Sequence, residues 1–299
     1  QIVGNQCGTM TPHPGRHHTV SLANRVSPTA LMSSGPDEYL PLSRPAIGDA
    51  EIAEVVDTLR SDWLTTGPKT KRFERQFAEY VGAEHAVAVN SCTAGLHLAL
   101  VASEVGEGDE VIVPSLTFCA TANVVLHQRA TPVFVEIDER SCTIDPSAVE
   151  AAITPRTKAV IPVDYGGQVC DMPRINAIAA AHGLTVVEDA AHAVGAALDG
   201  VRVGNLSRLT SFSFYATKNL TTGEGGMVTT NDASLADRIR VLALHGISAD
   251  AWKRYSKEGS WYYEVLWPGF KYNMTDLEAS LGMHQLRRAI AVQMELKRA

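Results

Sequence analysis

Apolar positions along this chain change period several times, and each change marks an element. From Asp49 to Ser61, Ile52, Val55, Val56 and Leu59 recur at i, i+3, i+4 and i+7, the stripe of an amphipathic helix. Lys69 to Val81 predicts a second helix, with Gly82 as the residue that ends it. Short apolar runs then alternate with helical stretches. Strands are predicted at His85–Val89, Glu110–Val113, Pro132–Ile137, Lys158–Val163 and Leu184–Glu188. The helices between them are predicted at Thr93–Val105, Thr117–His127, Pro146–Ile153 and Met172–His182, the last ending at Gly183. Strands written as continuous apolar runs, each followed by a helix, predict buried parallel strands in an α/β sheet. Two more strands, Leu209–Phe214 and Gly226–Thr230, break the alternation, because only the polar, glycine-bearing stretch Tyr215–Gly225 joins them. Helices return at Ser234–His245 and Thr275–Ile290. Leu281–Arg298 reads as one long helix with nothing after it to cover its apolar face, so the expectation is a longer natural protein.

Composition narrows the class. The chain has 299 residues, 45% hydrophobic and 20% charged, which are globular values. The net charge of −7 comes without a basic stripe, which argues against nucleic acid as a partner. No apolar run approaches the roughly 18 residues of a membrane span. Five scattered cysteines without a CxxC pair suggest neither a disulfide framework nor a zinc site, and fit a reducing cytoplasm. Residues 1–38 are rich in glycine and proline and lack periodicity, which predicts a disordered extension. His17 and His18 within it have no acidic or cysteine partner at ligand spacing, so no metal is expected.

Ligands of open α/β sheets bind beyond the carboxyl ends of the strands, and four features fall there. Asn90-Ser91-Cys92-Thr93-Ala94-Gly95 opens a helix after a strand, where free N–H groups and the helix dipole suit a phosphate; small residues also suit any tight turn. Glu188-Asp189 ends a buried strand, where a carboxylate needs a positive partner or serves as a helix N-cap. Lys218 follows the strand Leu209–Phe214, either as solvated surface or as a nucleophilic amine. Phe118 ends another strand, as core or as a stacking plate. Together these are an amine, an anion, a phosphate cradle and an aromatic plate. That set matches the needs of pyridoxal phosphate (PLP): a lysine for its aldehyde, a carboxylate for its ring nitrogen and an anchor for its phosphate.

The segments SRPAIGDAEI (43–52), TTGPKTKRFE (65–74), EDAAHA (188–193), SFSFYATKNLTTGEGG (211–226) and GFKYNMTDLEASLGMHQL (269–286) resemble the DegT/DnrJ/EryC1/StrS sugar aminotransferases. The resemblance runs from about Leu42 to the end. TTGPK, TPRTKAVIP, EDAAHA and GFKYN are most similar to the subgroup that makes UDP-4-amino-4-deoxy-L-arabinose. It implies PLP-dependent fold type I: a mostly parallel, seven-stranded-type sheet flanked by helices. It also implies a large PLP-binding domain over 39–268 and, from 269 to 299, the start of a truncated small C-terminal domain.

By the same resemblance, Lys218 is the Schiff-base lysine, Asp189 the partner of the pyridine nitrogen and Phe118 the ring that stacks on the cofactor. His192 takes the position near the phenolic oxygen. Thr93, Ala94 and Ser213 bind the phosphate, and Asn273 reaches the phosphate of the neighbouring subunit, so that a homodimer shares its sites. The implied reaction moves an amino group from L-glutamate to a nucleotide-linked keto-sugar, a UDP-4-keto-pentose or 4-keto-6-deoxyhexose, in polysaccharide or lipopolysaccharide biosynthesis. The alternatives are a 3-keto-sugar aminotransferase of the same family and a non-catalytic fragment with a regulatory role. The related sugar dehydratases carry histidine in place of the lysine, and Lys218 argues against them. Two departures stand out: Cys92 replaces a glycine common among relatives, and Lys271 with Asn273 replaces a common Asn/Arg pair.

Overall fold

The computed structural model describes residues 41, 43–248 and 264–296, with the side chains of 293–296 excepted. The extension predicted over 1–38, with His17 and His18, lies outside the described residues. In chain order the elements are α1 (Asp49–Arg60), α2 (Pro68–Val81), β1 (His85–Val89), α3 (Cys92–Ala102), β2 (Glu110–Pro114), α4 (Cys119–His127) and β3 (Thr131–Val135). A small hairpin, β4 (Ile137–Asp138) and β5 (Thr143–Ile144), precedes α5 (Pro146–Ala151), β6 (Thr157–Val160), α6 (Met172–His182) and β7 (Thr185–Asp189). A second hairpin, β8 (Ala197–Leu198) and β9 (Val201–Arg202), leads to β10 (Leu209–Ser213), β11 (Gly226–Thr230), α7 (Ala233–Ala243) and α8 (Asp276–Leu296).

Seven strands form one sheet in the order β1-β11-β10-β7-β6-β2-β3. The pairs β10/β7, β7/β6, β6/β2 and β2/β3 are parallel, whereas β11 runs antiparallel to both β1 and β10. The exception follows from connectivity: β10 and β11 are joined without a crossover helix, and a parallel pair needs one. Apolar side chains fill both faces. Leu96, Leu98 and Leu100 of α3, with Val124 and Val125 of α4 and Ile239 of α7, cover one face. Phe73 and Phe77 of α2 pack on Phe212 and Phe214 across the other, and Met172, Ile175 and Ile178 of α6 extend that layer. No helix among the described residues is long and apolar enough to cross a membrane.

The periodic elements lie where the sequence placed them, to within a few residues. Gly82 and Gly183 close α2 and α6 in left-handed conformations, with φ of 81° and 67°. Two boundaries and one packing expectation differ. The strand read as Pro132–Ile137 is split between β3 and the hairpin strand β4. The helix read from Thr117 starts at Cys119, with Phe118 in extended backbone as its N-cap. The face of the last helix, expected to lack a cover, is covered by α1 and α2, elements far away in the chain. Ala279, Met283 and Leu286 join Phe73 and Phe77 in one buried cluster. Gln285 Nε2 and Arg288 Nη2 both donate to Glu51 Oε1 on α1, at 2.8 and 2.6 Å.

The start of α8 also completes α2. Gly67, the N-cap of α2, has no side chain to accept from the first N–H groups of the helix. Asp276 takes that role from across the chain. Its Oδ1 accepts from the N–H groups of Gly67 and Thr70, both at 2.8 Å, and its Oδ2 from the N–H of Lys69 at 3.0 Å. The Thr70 hydroxyl donates to the same carboxylate at 2.6 Å. One buried carboxylate thus fixes the start of α8 to the TTGPK turn. Asp276→Ala, which strands several buried donors at once, should destabilise the fold by about 3 kcal/mol, against about 1 kcal/mol for an ordinary lost cap. Urea unfolding of both proteins measures the difference.

Candidate active site

The topology gathers the strand ends named above into one pocket of about 600 Å³. Asp189, Lys218, His192, Phe118, Ser213 and Thr93 all line it. Strand order explains the meeting of the first two. β10 lies beside β7 with Ser211 opposite Asp189, so the loop that leaves β10 carries Lys218 back over the end of β7.

Asp189 is the electrostatic centre. Its side chain is 4% exposed, and burial raises its carboxyl above the usual range. Its donors are neutral: the Thr121 hydroxyl at 2.8 Å, the Ala191 N–H at 3.2 Å and Cys92 Sγ at 3.7 Å. The Cys92 thiol is itself pushed well up by burial and then by the Asp189 charge, which keeps it a neutral donor. Among the described residues no cationic side chain bonds Asp189, so the carboxylate suits a cation brought by a ligand.

His192 shows how backbone sets chemistry. Its Nδ1 accepts the Gly166 N–H at 3.2 Å, which leaves the neutral ring its proton at Nε2. Burial, and then the Lys218 charge, lowers its pKa, so the ring is neutral near pH 7. The lysine has no ion-pair or hydrogen-bond partner for its Nζ among the described residues. Phe118 is 73% exposed beside the pocket, which settles it as a wall of the site instead of core.

The phosphate cradle is partly as read. Ser91 is the N-cap of α3, and its Oγ accepts the Ala94 N–H at 3.0 Å, so that N–H is committed within the chain. The Thr93 N–H, one residue nearer the helix start, has no partner among the described residues, and it lies where the helix dipole favours an anion. The turn Asn90–Cys92 lies directly on Gly226 of β11: a Cβ there would stand 2.6 Å from the Ser91 carbonyl carbon, so only glycine admits the approach. Ser213 borders the same end, its Oγ accepting the Tyr215 N–H at 3.3 Å.

Asn273 does not line the pocket. It pairs with Val89 at the end of β1, donates from Nδ2 to the Thr66 hydroxyl at 2.6 Å and accepts from Lys271 Nζ at 2.7 Å. Nor does it cap α8, because Thr275 and Glu278 form that cap reciprocally. Reading the sequence missed Thr121, whose bond to Asp189 spans 68 positions and has no local signal. It also missed Ser91 as the cap of α3, although Ser directly before an apolar helix is a legible N-cap. Glu188, grouped with Asp189 in sequence, belongs to the other face of the sheet, as alternation along a strand demands.

The donor set fits pyridoxal phosphate. A buried carboxylate without a cation suits the ring nitrogen, an unpaired helix-terminal N–H suits the phosphate, and an unpaired lysine suits the aldehyde.

Comparison with known proteins agrees with this geometry. The chain is 61% identical over 252 residues to the spore coat polysaccharide biosynthesis protein SpsC of Bacillus subtilis, covering 84% of this chain and 65% of that one. It is 58% identical over 253 residues to an uncharacterised protein of Methanocaldococcus jannaschii, covering 85% and 66%. The chain therefore spans about two thirds of the length of these curated relatives. Among solved structures, a putative sugar aminotransferase from Streptococcus pneumoniae in its PMP form superposes with a TM-score of 0.80 at 41% identity, covering 87% of this chain and 70% of that one. Its PLP form gives 0.78 at 41% identity, with 85% and 68% covered. The family profile matches residues 45–298, every pocket residue included, and the chain belongs to the DegT/DnrJ/EryC1/StrS aminotransferase family.

Proposed function

We propose that the protein is a PLP-dependent aminotransferase that moves an amino group from L-glutamate to a nucleotide-linked keto-sugar, a UDP-4-keto-pentose or 4-keto-6-deoxyhexose, for polysaccharide biosynthesis. The observation that carries the reading is the buried Asp189 carboxylate, held by neutral donors alone, in the same pocket as an unpaired lysine. SpsC, named for spore coat polysaccharide biosynthesis, supports the biosynthetic setting. The four described cysteines are free, which suits a cytoplasmic enzyme. We further propose two domains, the large one over 39–268 and a smaller one beginning at 269.

When bound, PLP supplies an aldehyde that captures amines and a ring that takes up the electron pair left on the donor's α-carbon. The chain's residues do the rest. Lys218 Nζ would hold the aldehyde and would carry a proton off the donor's α-carbon and return it, as general base and then acid. Asp189 stays ionised and holds a proton on the ring nitrogen. His192 offers its Nε2 proton to the phenolic oxygen. Phe118 would wall the ring face, and Thr93 and Ser213 would bind the phosphate, with the Ala94 N–H already held by Ser91 Oγ in the same turn. Asn273 acts in the partner's site of a homodimer, reaching the phosphate there from its anchor on Thr66 and Lys271.

Three outcomes test these roles. Lys218→Ala should abolish transamination of UDP-, dTDP- and GDP-linked keto-sugars by the full-length protein, with circular dichroism unchanged; near-normal turnover in the mutant would remove the lysine from the mechanism. Asp189→Asn deletes the charge at nearly constant shape. It should slow the half-reaction with L-glutamate by orders of magnitude more than it weakens cofactor binding, measured by single-turnover absorbance and by titration. Asn273→Asp places a second anion beside the phosphate and should inactivate the homodimer. Mixing it with Lys218→Ala subunits should restore activity, because one hybrid site is intact at both positions; mixed dimers that form and stay inactive would place Asn273 outside the partner's site.

A further inference from the structure

Glu188 and Asp189 are adjacent, yet the strand sends them to opposite faces of the sheet, and Glu188 meets no cation on its side. Its Oε2 accepts from the hydroxyls of Ser207 and Thr210, both at 2.8 Å. Its Oε1 is buried without a protein donor. Asp164, in the loop after β6, matches it. Asp164 is 1% exposed, its Oδ1 accepts the Cys170 N–H at 3.0 Å, and its Oδ2 is buried without a donor. The two carboxyl groups are near enough for each to act on the other, and each keeps one buried oxygen without a donor. Two ionised carboxylates in such a place repel each other with no water to screen them. Each group holds the open oxygen the other needs, and one proton between them satisfies both.

We propose that Asp164 and Glu188 share a single proton at neutral pH, and that this acid pair is a positioning device for the wall of the active site. Burial, the largest cause, raises both carboxyls; the Glu188 charge raises Asp164 further, while hydrogen bonds from Ser207, Thr210 and Asp164 act on Glu188 in the opposite direction. Among the described residues the other titratable group acting on them is the Cys170 thiol, two residues before α6, which burial raises, so it stays neutral. No cationic side chain bonds either carboxyl among the described residues.

The lever is the loop Asp164–Gln168. At its root the Asp164 N–H donates to the Asp189 carbonyl at 3.0 Å. Two residues on, the Gly166 N–H holds His192 Nδ1, and the Tyr165 ring meets the His192 ring edge-on at 6.1 Å between centroids. The pair therefore fixes, through three residues of backbone, the tautomer in which His192 presents Nε2–H to the pocket. Glu188 does not line the pocket, and Asp164 borders it at only 1% exposure.

The signature does not depend on the aminotransferase reading, because it belongs to the folded chain itself. A shared proton gives a carboxylic C=O stretch in the infrared spectrum at pH 7, slow to exchange in D₂O, when every ordinary carboxylate is ionised. Glu188→Gln supplies an amide donor to Asp164 Oδ2 in the same volume, so it should remove the band and keep the fold.

Linkage gives a second readout. A carboxyl raised in the folded state holds a proton that the unfolded chain releases. The folding constant should therefore fall as pH rises from about 4 through neutrality, approaching tenfold per pH unit for one proton. Glu188→Gln should flatten that slope by up to this factor, read from urea unfolding at pH 5, 6 and 7. The third readout is the ¹⁵N spectrum of His192: the single Nε2–H tautomer in the wild type, a mixture in Glu188→Ala, and the wild-type pattern again in Glu188→Gln. Absence of the band, or parallel pH slopes, overturns the shared proton, and both are read on Glu188→Gln even if Glu188→Ala does not fold. An unchanged His192 spectrum in folded Glu188→Ala overturns the positioning role.

Discussion

A carboxylate sealed from water at the end of a central strand is the constraint on which the site depends. Asp189 could have been neutralised by an arginine or lysine of its own chain, and such an ion pair would have closed the pocket. Instead the fold surrounds it with a hydroxyl, a thiol and one backbone N–H. These donors lower the cost of burying the charge without cancelling it. The remaining electrostatic demand is available to a ligand, and only a cation or a bound proton meets it. The Cys92 thiol belongs to this arrangement: small enough for the tight turn, it adds a weak donor that glycine at this position would lack.

The antiparallel strand β11 makes the rest of the pocket possible. Because β11 runs against both β1 and β10, its first residue, Gly226, lies beside the start of α3, at the pocket end of the sheet. The loop from β10 to β11 therefore begins and ends at the rim, with Lys218 suspended between. The same inversion brings the turn Asn90–Cys92, with its helix-terminal N–H groups, to within one loop width of Asp189. Amine, anion and phosphate cradle thus meet because one connection lacks a helix.

The two faces of β7 divide the labour. On one, Asp189 faces the pocket. On the other, Glu188 and Asp164 form a buried acid pair under α6, and the backbone between Asp164 and Gly166 transmits its position to His192. A strand that alternates its side chains can thus place a reactive carboxylate and a structural one at consecutive positions. The cost is a pair of raised carboxyls in the fold, offset by a pocket wall held to one conformation.

The sequence by itself determined the periodic elements, because each rests on local spacing: the stripe Ile52, Val55, Val56 and Leu59, the apolar runs of β1, β2, β3, β6 and β7, and the glycines that close α2 and α6. It also determined which residue types end the strands, and so the group Thr93, Phe118, Asp189, His192 and Lys218, since βα geometry puts those positions at one edge. Contacts between distant segments were decided by the tertiary structure alone. Nothing local announces that Thr121 holds Asp189, that Asp276 caps α2, or that α1 and α2 cover α8, because each partnership is set by how layers pack. The same holds for the acid pair: Asp164 and Glu188 lie in different βα units, and only the parallel pairing of β6 with β7 brings two buried carboxyls face to face, where one proton must serve both.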